Sequence, residues 1–361
     1  MEKVIVFILA FGIVWLITPV ITRKAFVWGA VDQPGPRKVH QKAMPRLGGL
    51  ALYISFLVGA YLLLPSTYLV QMGYGLLIGT TMVVLVGIID DLYGLSPWLK
   101  LLGQVTAAAS ILPFGISINF LTNPLNGHII VLGWLGIPVT LFWIVAVTNA
   151  INLIDGLDGL AAGVSCIAAL TVAIVGWMQW KFFGAAGQQE IILLALLLVV
   201  ILLAFLRYNF HPARIFLGDS GSMFLGFTLA TISVMGLTKS VTAVSVFVPL
   251  VILGIPLTDT AFAILRRYHR HRPITQPDHE HLHHLLLGLG LTHRQAVLAV
   301  YGVSILLGLS ALLINLISPG RAMILLLFLG ALTILGLNRL EALSRTKRAR
   351  YGYNYNSKLT R

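Results

Sequence analysis

Residues 191–206 read Ile-Ile-Leu-Leu-Ala-Leu-Leu-Leu-Val-Val-Ile-Leu-Leu-Ala-Phe-Leu, sixteen consecutive positions without a polar side chain. Glu190 precedes this run and Arg207 follows it. A helix that is apolar all round lies either in a large core or in lipid, and about 20 apolar residues span the hydrocarbon of a bilayer. The stretch therefore predicts a membrane-spanning helix.

Ten more apolar runs lie between the charged residues and the Gly/Pro breaks of the chain. The complete set is Val4–Thr22, Leu47–Leu64, Met72–Ile89, Trp98–Pro113, Trp134–Ala150, Leu160–Trp180, Ile191–Leu206, Ser222–Leu237, Val244–Leu265, Ala296–Ile317 and Ala322–Leu337. The fourth, fifth and last runs are short for a full crossing. The predicted fold is thus an all-α integral membrane protein, a polytopic bundle of ten or eleven transmembrane helices. Residues 119–133, between two of these runs, predict a short hairpin.

The composition supports the same class. The chain has 361 residues, of which 58% are hydrophobic and 10% charged, whereas a soluble domain is roughly a quarter charged. Its mean hydropathy is +0.91. These values exclude a soluble globular enzyme, a disordered chain and a coiled coil, and the single Cys166 excludes a disulfide scaffold. The net charge of +13 is confined to loops without interleaved aromatic residues, so no nucleic-acid partner is expected.

The distribution of lysine and arginine predicts the orientation. With the N-terminus outside, 21 of these residues lie in inside loops and four lie outside. Cytoplasmic loops carry the excess of positive charge in membrane proteins. The N-terminus is therefore expected outside and the C-terminus in the cytoplasm. Residues 1–340 are expected to form one polytopic membrane domain, and residues 341–361 a basic cytoplasmic tail.

Ten of the twelve carboxylates fall on the same inside face. The rule that sorts lysine and arginine does not sort acidic residues, so a polar site that faces inward is the simplest explanation. A transporter or channel that uses intramembrane acids as a proton or cation path is the alternative. That alternative predicts carboxylates near the middle of the bilayer, and only Asp259 approaches such a position.

Two inside segments carry cations or paired acids. Residues 32–49 form an extended loop with Lys42 and Arg46, which could bind phosphates or could serve only to orient the chain. Asp90 and Asp91 end the third apolar run, and Lys100 follows as a counter-ion. Because neighbouring residues on a helix point about 100° apart, the two acids are expected to divide their work. Interfacial acids that merely end a helix are the structural alternative.

The segment from residue 149 to 159 reads Asn-Ala-Ile-Asn-Leu-Ile-Asp-Gly-Leu-Asp-Gly. Its four polar side chains recur at every third position and predict one drifting stripe on a helix, loosened by the two glycines. The stripe is Asn149, Asn152, Asp155 and Asp158. Oxygen ligands without cysteine suit Mg²⁺ or Mn²⁺ better than zinc.

Two further inside loops supply candidates. Residues 209–222 contain Asn209, Phe216 and Asp219, and Asp219 either caps the next helix or ligates a metal. The last inside loop carries His281, His283 and His284 together with other histidines, acids and arginines. Zinc binding is one interpretation of that loop. The abundance of arginine favours a phosphate site instead, and Asp259 is expected to pair with one of the arginines.

Taken in order, these motifs resemble those of the polyprenyl-phosphate N-acetylhexosamine-1-phosphate transferases over nearly the whole chain. The matching motifs are Arg46-Leu-Gly-Gly, Gly87-Ile-Ile-Asp-Asp91, the segment from Asn149 to Gly159, Phe216-Leu-Gly-Asp-Ser-Gly221 and the histidine loop. Within the family the chain looks like the bacterial undecaprenyl-phosphate GlcNAc-1-phosphate transferases that begin wall teichoic acid, O-antigen (lipopolysaccharide) or common-antigen synthesis. Phospho-MurNAc-pentapeptide transferase is the alternative, although it usually has three consecutive histidines where Leu282 interrupts them here.

The resemblance implies a reaction and a set of roles. Undecaprenyl phosphate would attack the β-phosphorus of UDP-GlcNAc with Mg²⁺ as cofactor (Mn²⁺ being the substitute), releasing UMP and leaving GlcNAc-pyrophosphoryl-undecaprenol. The implied metal ligands are Asp219 and Asn152. The implied catalytic residues are Asp90, Asp91, Lys100, His281, His283 and His284, and the implied substrate contacts are Lys42, Arg46, Asn149, Asp155, Asp158, Asn209 and Phe216. Asp90 would act as a base or as a nucleophile, and the second pKa of a phosphate monoester, about 6, favours direct displacement.

The same resemblance implies the setting. The enzyme would be a multi-pass protein of the bacterial plasma (inner) membrane, with its active site at the cytoplasmic face. Its partners would be the two substrates, the lipid bilayer and, in a homodimer, a second copy of the chain.

Overall fold

The computed structural model describes residues 2–34, 43–122, 128–185, 187–237, 247–269, 281–317 and 319–351, and helices dominate these ranges. In chain order the helices are α1 (Glu2–Trp28), α2 (Gly48–Leu63), α3 (Ser66–Tyr68), α4 (Tyr74–Tyr93), α5 (Pro97–Ser110), α6 (Gly136–Ile154), α7 (Leu160–Phe183), α8 (Gln188–Asn209), α9 (Gly218–Leu237), α10 (Phe247–Ile252), α11 (Gly254–His269), α12 (Leu282–Gly288), α13 (His293–Leu316) and α14 (Pro319–Tyr351). One π-helical turn, Leu69–Gly73, joins α3 to α4. Short 3₁₀ turns occupy Leu112–Phe114 and Gly133–Leu135.

Two short antiparallel strand pairs complete the described structure. The first pairs β1 (Val31–Asp32) with β2 (Met44–Pro45), on either side of the first inside loop. The second pairs β3 (Phe120–Thr122) with β4 (Ile129–Val131), in the register Phe120 to Val131. The second pair confirms the hairpin predicted between the fourth and fifth apolar runs.

Six helical segments are long and apolar enough to cross a membrane. They are Glu2–Trp28, Ser66–Tyr93, Gly133–Ile154, Leu160–Phe183, Gln188–Asn209 and His293–Leu316, and Gly48–Leu63 and Gly320–Gly336 are shorter apolar helices. The chain is therefore an all-α membrane protein. The predicted span Val244–Leu265 is wrong as one continuous helix, because the described part breaks at Leu253 between α10 and α11. Pro256 lies in the first turn of α11, the position where a helix accepts proline most easily, and a new helix accordingly begins at Gly254.

Helix α9 lies at the centre of the bundle. It contacts α2, α4, α6, α7 and α8, and its side chains Met223, Phe224 and Phe227 are fully buried. A helix buried on all sides needs apolar residues all round. The one charged residue of α9, Asp219, lies in the first turn beside Ser220 and Ser222, while Thr228, Thr231 and Ser233 are buried further along the helix.

Glycines allow two helices to touch the backbone of that first turn. A Cβ atom on Gly49 of α2 would lie 2.1 Å from Cα of Gly221, and one on Gly87 of α4 would lie 2.4 Å from Cα of Ser220. The backbone N–H of Gly49 donates to the carbonyl of Leu217 at 2.9 Å. The glycines of two sequence motifs therefore fix the start of α9 by direct backbone contact.

We expect Gly49→Ala to lower the stability of the protein sharply. The added methyl group meets backbone, which cannot rotate away, so the cost should reach the upper end of the usual overpacking range of about 1–3 kcal/mol. The measurement is the thermal unfolding midpoint in detergent. Gly12→Ala in α1 is the matched control, because nothing lies within 4 Å of its added Cβ. Equal midpoints for the two variants would contradict the close approach.

Candidate active site

Three polar side chains from three helices meet at the first turn of α9. The Nζ atom of Lys100, in α5, lies 2.9 Å from Oδ2 of Asp90, at the end of α4, and 2.5 Å from Oδ1 of Asp219, in α9. Along the chain, Lys100 lies 10 positions after Asp90 and 119 positions before Asp219. The lysine ammonium thus bridges two carboxylates, as its predicted role as a counter-ion requires.

Asn152 of α6 completes the group. Its Nδ2 donates to Oδ1 of Asp219 at 2.5 Å and to Oγ of Ser222 at 2.7 Å, while its Oδ1 accepts from Lys100 at 3.3 Å. The oxygens of Asn152 and Asp219 therefore face the same cation. These are the two side chains predicted to ligate a metal, and oxygen donors of this kind suit Mg²⁺.

Asp90 and Asp91 point to different partners. Oδ1 of Asp90 also accepts from the backbone N–H of Leu95 at 2.7 Å, which fixes the carboxylate beside Lys100. Asp91 is buried, and its two oxygens accept from the backbone N–H groups of Asp219 at 2.8 Å and Ser220 at 3.0 Å. Asp91 thus caps α9 from a different helix, and a carboxylate is favourable at a helix N-terminus. Direct contact of Asp91 with substrate stays a prediction.

We expect substitutions of Asp91 to act through the position of Asp219. Asp91→Ala removes both acceptors and should cost about 1–3 kcal/mol of stability, because buried N–H groups lose charged partners. Asp91→Asn keeps one acceptor oxygen and should cost less. Thermal unfolding together with kcat for the folded fraction checks this order. A catalytic group that touched substrate would instead lose kcat in both variants with little change in stability.

Asn149 lies one turn before Asn152 and is held by a residue that sequence reasoning missed. Its Nδ2 donates to Oε1 of Gln104 at 2.6 Å and to the carbonyl of Val145 at 2.8 Å, and Nε2 of Gln104 donates back to Asn149 at 3.3 Å. Gln104 is fully buried and lies one helical turn after Lys100. A glutamine four residues after a charged residue, within an apolar helix, is the signal that could have revealed it.

The predicted polar stripe continues as a loop and not as a helix. Helix α6 ends at Ile154, and Gly159 precedes α7 with φ of +78°, a conformation that glycine adopts readily. Only the two asparagines of the stripe are therefore helical. The prediction that Asp155 and Asp158 share their helix is wrong, because the chain turns at the glycines that were expected only to loosen it.

Asp155 follows α6 directly and lies among other carboxylates. Burial, followed by the nearby charges of Asp219, Asp91 and Asp158, raises the pKa of Asp155 well above its ordinary value, and Arg46 opposes this shift. The Asp155 carboxyl group therefore holds its proton more tightly than an exposed carboxyl group does. Carboxyl groups with a strongly raised pKa are common at functional sites.

We expect Asp155→Asn to stabilise the protein in a manner that depends on pH. The folded protein holds the Asp155 proton more tightly than the unfolded chain, so the stability of the wild-type protein falls as pH rises from the ordinary carboxyl pKa through the raised one. The asparagine variant lacks this loss. Its unfolding midpoint should exceed that of the wild-type protein above the raised pKa, and the difference should shrink on acidification. A difference that does not change with pH would contradict the assignment.

Asn209 and Phe216 are placed by backbone bonds. Oδ1 of Asn209 accepts from the N–H of Gly159 at 3.2 Å, and its Nδ2 donates to the carbonyl of Ile215 at 3.0 Å. Asn209 is buried and ties two inside loops together. The N–H of Phe216 donates to the carbonyl of Pro45 at 2.8 Å, and its side chain is half-buried. Contacts of either side chain with substrate stay predictions.

The first inside loop reaches the site through Arg46. Its guanidinium pairs with the buried carboxylate of Asp32, across the β1–β2 pair. The backbone N–H of Arg46 donates to the carbonyl of Ala30 at 3.0 Å. Lys42, also expected to contact substrate, lies outside the described residues.

The histidines of the last inside loop pack onto the loop after α6. The ring of His283 lies against Gly156, where a Cβ atom would come within 2.3 Å of Nε2. The His281 and His283 rings are nearly parallel at 5.9 Å, and His284 lies 4.2 Å from His283. Burial, and then the neighbouring histidines, lower the pKa of His283 well below its ordinary value. His283 is therefore neutral at neutral pH.

Asp259 orients this cluster. Its Oδ2 faces Nδ1 of His281 at 3.0 Å, and its Oδ1 accepts from the N–H of Leu282 at 2.9 Å. Among the described residues Asp259 contacts His281 and Leu282, and its expected pairing with an arginine stays a prediction, because Arg270 and Arg272 lie outside the described residues. Because the carboxylate accepts at Nδ1, it leaves Nε2 of His281 to face other groups.

Comparison with known proteins places this arrangement in a family. The family model described as Glycosyl transferase family 4 matches residues 74–237, which include the helices carrying Asp90, Lys100, Asn152 and Asp219. A probable undecaprenyl-phosphate N-acetylglucosaminyl 1-phosphate transferase of Bacillus subtilis (strain 168) is 42% identical over 86% of this chain and 85% of its own length. The chain belongs to the polyprenyl-phosphate N-acetylhexosamine-1-phosphate transferases. This membrane transferase therefore has the type of activity that its motifs predicted.

Two other relatives of the transferase differ in the polyprenyl carrier that their names specify. Decaprenyl-phosphate N-acetylglucosaminephosphotransferase of Mycobacterium leprae (strain TN) is 34% identical over 88% of this chain and 84% of its own length. Undecaprenyl-phosphate alpha-N-acetylglucosaminyl 1-phosphate transferase of Escherichia coli (strain K12) is 28% identical over 75% of this chain and 73% of its own length. All three names share the N-acetylglucosamine phosphate group.

Proposed function

We propose that this transferase moves GlcNAc-1-phosphate from UDP-GlcNAc to undecaprenyl phosphate, releasing UMP and forming GlcNAc-pyrophosphoryl-undecaprenol. One observation carries the proposal. Lys100 is held by oxygens of Asp90, Asp219 and Asn152 at the first turn of α9, within a chain that belongs to this family. The names of its relatives support the sugar, and the 42% identity to the Bacillus subtilis protein supports the undecaprenyl carrier.

The side chains of the site can divide the work of phosphoryl transfer. Asp219 and Asn152 would hold Mg²⁺, whose bound charge would neutralise the pyrophosphate. Lys100 would contribute a positive charge to the same phosphates, and Asp90 would orient the phosphate of the lipid. Because such a phosphate is mostly ionised near neutral pH, little base catalysis is needed and direct displacement is favoured over a covalent intermediate on Asp90.

The histidine cluster would contact the pyrophosphate or the sugar. His281 can present Nε2 because Asp259 occupies its Nδ1. His283, neutral and packed on Gly156, would set the position of the loop that carries Asp155 and Asp158. That loop, with Asn209 and Phe216, would face the uridine.

We also propose the setting that the charge distribution predicted. The active site would face the cytoplasm, the N-terminus would lie outside, and ten or eleven helices would cross the bacterial plasma membrane. The product would then begin synthesis of a cell-envelope polysaccharide. Reporter fusions at residue 1 and after residue 351 test the sidedness, because one reporter should work only outside the cell and the other only inside.

The decisive experiment measures UMP release by purified full-length protein in detergent. Release should require UDP-GlcNAc, undecaprenyl phosphate and Mg²⁺ together. UDP-GalNAc and UDP-MurNAc-pentapeptide, tested in parallel, decide the sugar, and efficient use of the pentapeptide substrate would favour the alternative transferase of peptidoglycan synthesis. If folded protein releases no UMP from any of the three, the proposal is overturned and a transport function takes its place.

A further inference from the structure

Two polar contacts link α5 to α6, one turn apart on each helix. The first belongs to the Lys100 site, where Nζ of Lys100 donates to Oδ1 of Asn152 at 3.3 Å. The second is a reciprocal amide pair: Nδ2 of Asn149 donates to Oε1 of Gln104 at 2.6 Å, and Nε2 of Gln104 donates to Oδ1 of Asn149 at 3.3 Å. The lysine contact and the amide pair therefore lie side by side along the same helix–helix interface.

The spacing of these four residues explains why both contacts form together. Gln104 follows Lys100 by four positions, and Asn149 precedes Asn152 by three, so each helix presents its two residues on one face. The partners rise along α5 as they fall along α6, which means that the two helices are antiparallel here. A slide of α5 by a single residue, about 1.5 Å, would break both contacts at once.

The amide pair is the more rigid of the two contacts. Gln104 is 1% exposed, and Nδ2 of Asn149 also donates to the carbonyl of Val145 at 2.8 Å. Because a carbonyl only accepts, this bond fixes which side of the Asn149 amide carries the nitrogen. The Gln104 amide is then held in the one orientation that matches it. Lys100, in contrast, has a flexible four-carbon side chain, which cannot by itself fix the position of its helix.

The position of α5 decides where the Lys100 ammonium lies. Nζ reaches Oδ1 of Asp219 in α9 at 2.5 Å, and Nδ2 of Asn152 reaches the same oxygen from α6 at 2.5 Å. Side chains of two helices thus converge on one carboxylate of a third. A displacement of about 1 Å can cost about 100-fold in the rate of an enzyme, so the contact that fixes α5 against α6 also governs this convergence.

We propose that Gln104 is a positioning residue for the transferase reaction. Through its pairing with Asn149 it fixes α5 against α6, so that Lys100 and Asn152 meet at Asp219. It acts through Asn149 and through its own helix, and not by touching substrate. The inference rests on the proposed function, because that function assigns Lys100 to the phosphates and the other two residues to Mg²⁺.

The test replaces Gln104 by methionine, which has a similar length but cannot form either hydrogen bond of the pair. Loss of residues that support a metal ligand typically costs about 10- to 100-fold in metal affinity or activity. Gln104→Met should therefore lower kcat for UMP release about 10- to 100-fold per folded molecule. The Mg²⁺ concentration for half-maximal rate should rise, while KM for UDP-GlcNAc should change little.

A second measurement follows Mg²⁺ without turnover. Bound Mg²⁺ should raise the thermal unfolding midpoint, since a ligand that binds only the folded state stabilises it. The Mg²⁺ concentration that produces half of this rise should be higher for Gln104→Met than for wild-type protein. A glutamine that served only the stability of the fold would lower the midpoint itself and leave this concentration unchanged.

Gln179→Met is the matched control. Nε2 of Gln179, in α7, donates to Oδ1 of Asn315, in α13, at 2.8 Å, and Gln179 is 2% exposed. It is thus another buried glutamine that joins an asparagine of a different helix, and it lies 19 positions after the first residue of α7. Gln179→Met should lower the unfolding midpoint but keep the wild-type kcat and the wild-type Mg²⁺ requirement.

The outcomes separate this inference from the function on which it rests. If wild-type protein releases no UMP from UDP-GlcNAc, undecaprenyl phosphate and Mg²⁺, both are overturned. If wild-type protein is active and Gln104→Met, like Gln179→Met, changes only the midpoint, the role of Gln104 alone is overturned.

An exchange of the two amides tests the route of action and covers a methionine variant that does not fold. Gln104→Asn shortens the side chain by one methylene group and should also lower kcat. Adding Asn149→Gln restores the combined length of the pair and should recover part of the lost kcat. An exchange variant that is folded but no more active than Gln104→Asn would contradict action through Asn149.

Discussion

Asp219→Asn should reduce UMP release about 100- to 1,000-fold, the range lost when one preorganised electrostatic group is removed from an active site. Asp219 is the carboxylate that Lys100 and Asn152 both contact. The amide of asparagine carries no charge and is a weaker ligand for Mg²⁺. The rate should therefore fall, and the Mg²⁺ concentration needed for half-maximal rate should rise.

The fold should survive this change. Asp219→Asn leaves Lys100 paired with Asp90 at 2.9 Å, and the backbone N–H of residue 219 still donates to Asp91. The thermal unfolding midpoint should stay close to that of the wild-type protein. Glu190→Gln, another change from a carboxylate to an amide at the far end of α8 from the site, is the matched control and should keep full activity. Near wild-type turnover by Asp219→Asn would overturn the metal assignment.

Lys100→Met should combine a loss of activity with a loss of stability. Methionine matches the length of lysine but removes the charge that Asp90 and Asp219 share. Removal of one partner from a fully buried ion pair costs about 3–5 kcal/mol, because the remaining charge is left without compensation. The side chains of Lys100 and Asp219 are 18% and 28% exposed, so the loss here should be smaller. UMP release and thermal unfolding, measured on the same preparation, should both fall well below the wild-type values.

A double substitution separates the two effects. In Lys100→Met combined with Asp219→Asn, one of the uncompensated carboxylates is gone, so part of the lost stability should return while activity stays low. The coupling free energy between the two positions measures their contact directly. Strictly additive losses of stability would show that Lys100 and Asp219 do not form the pair that the structure contains.

Much of the architecture could be predicted from local composition. Apolar runs located most of the long helices, because a bilayer imposes length and hydrophobicity on each segment separately. Polar residues in an apolar setting identified Asp90, Lys100, Asn152 and Asp219 for the same reason. The apolar composition of residues 244–265 did not reveal the helix break at Leu253, for which Pro256 in the first turn of α11 was the available signal.

Partners in space were harder to predict than the residues themselves. Gln104 is missing from the predicted site because only the folded chain places Asn149 opposite it. The contact between Asp259 and His281 likewise joins residues 22 positions apart. Lys100 and Asp219 are 119 positions apart, and neither position in the sequence indicates the other. Only the fold brings such residues together, since the chain turns that join them are set by packing and not by spacing.

The close contact at the start of α9 has a consequence for biosynthesis. The N–H groups that donate to Asp91 belong to residues 219 and 220, and the backbone that Gly49 and Gly87 contact belongs to residues 220 and 221. These contacts can form only after residues 218–221 have been synthesised. More than half of the chain must therefore leave the ribosome before Asp91 can cap α9 and before Lys100 can meet Asp219. A nascent chain that stops before residue 218 contains all the earlier motifs but no assembled site. Because ionised side chains are costly in hydrocarbon, those of the incomplete site are expected to stay in the headgroup region of the membrane.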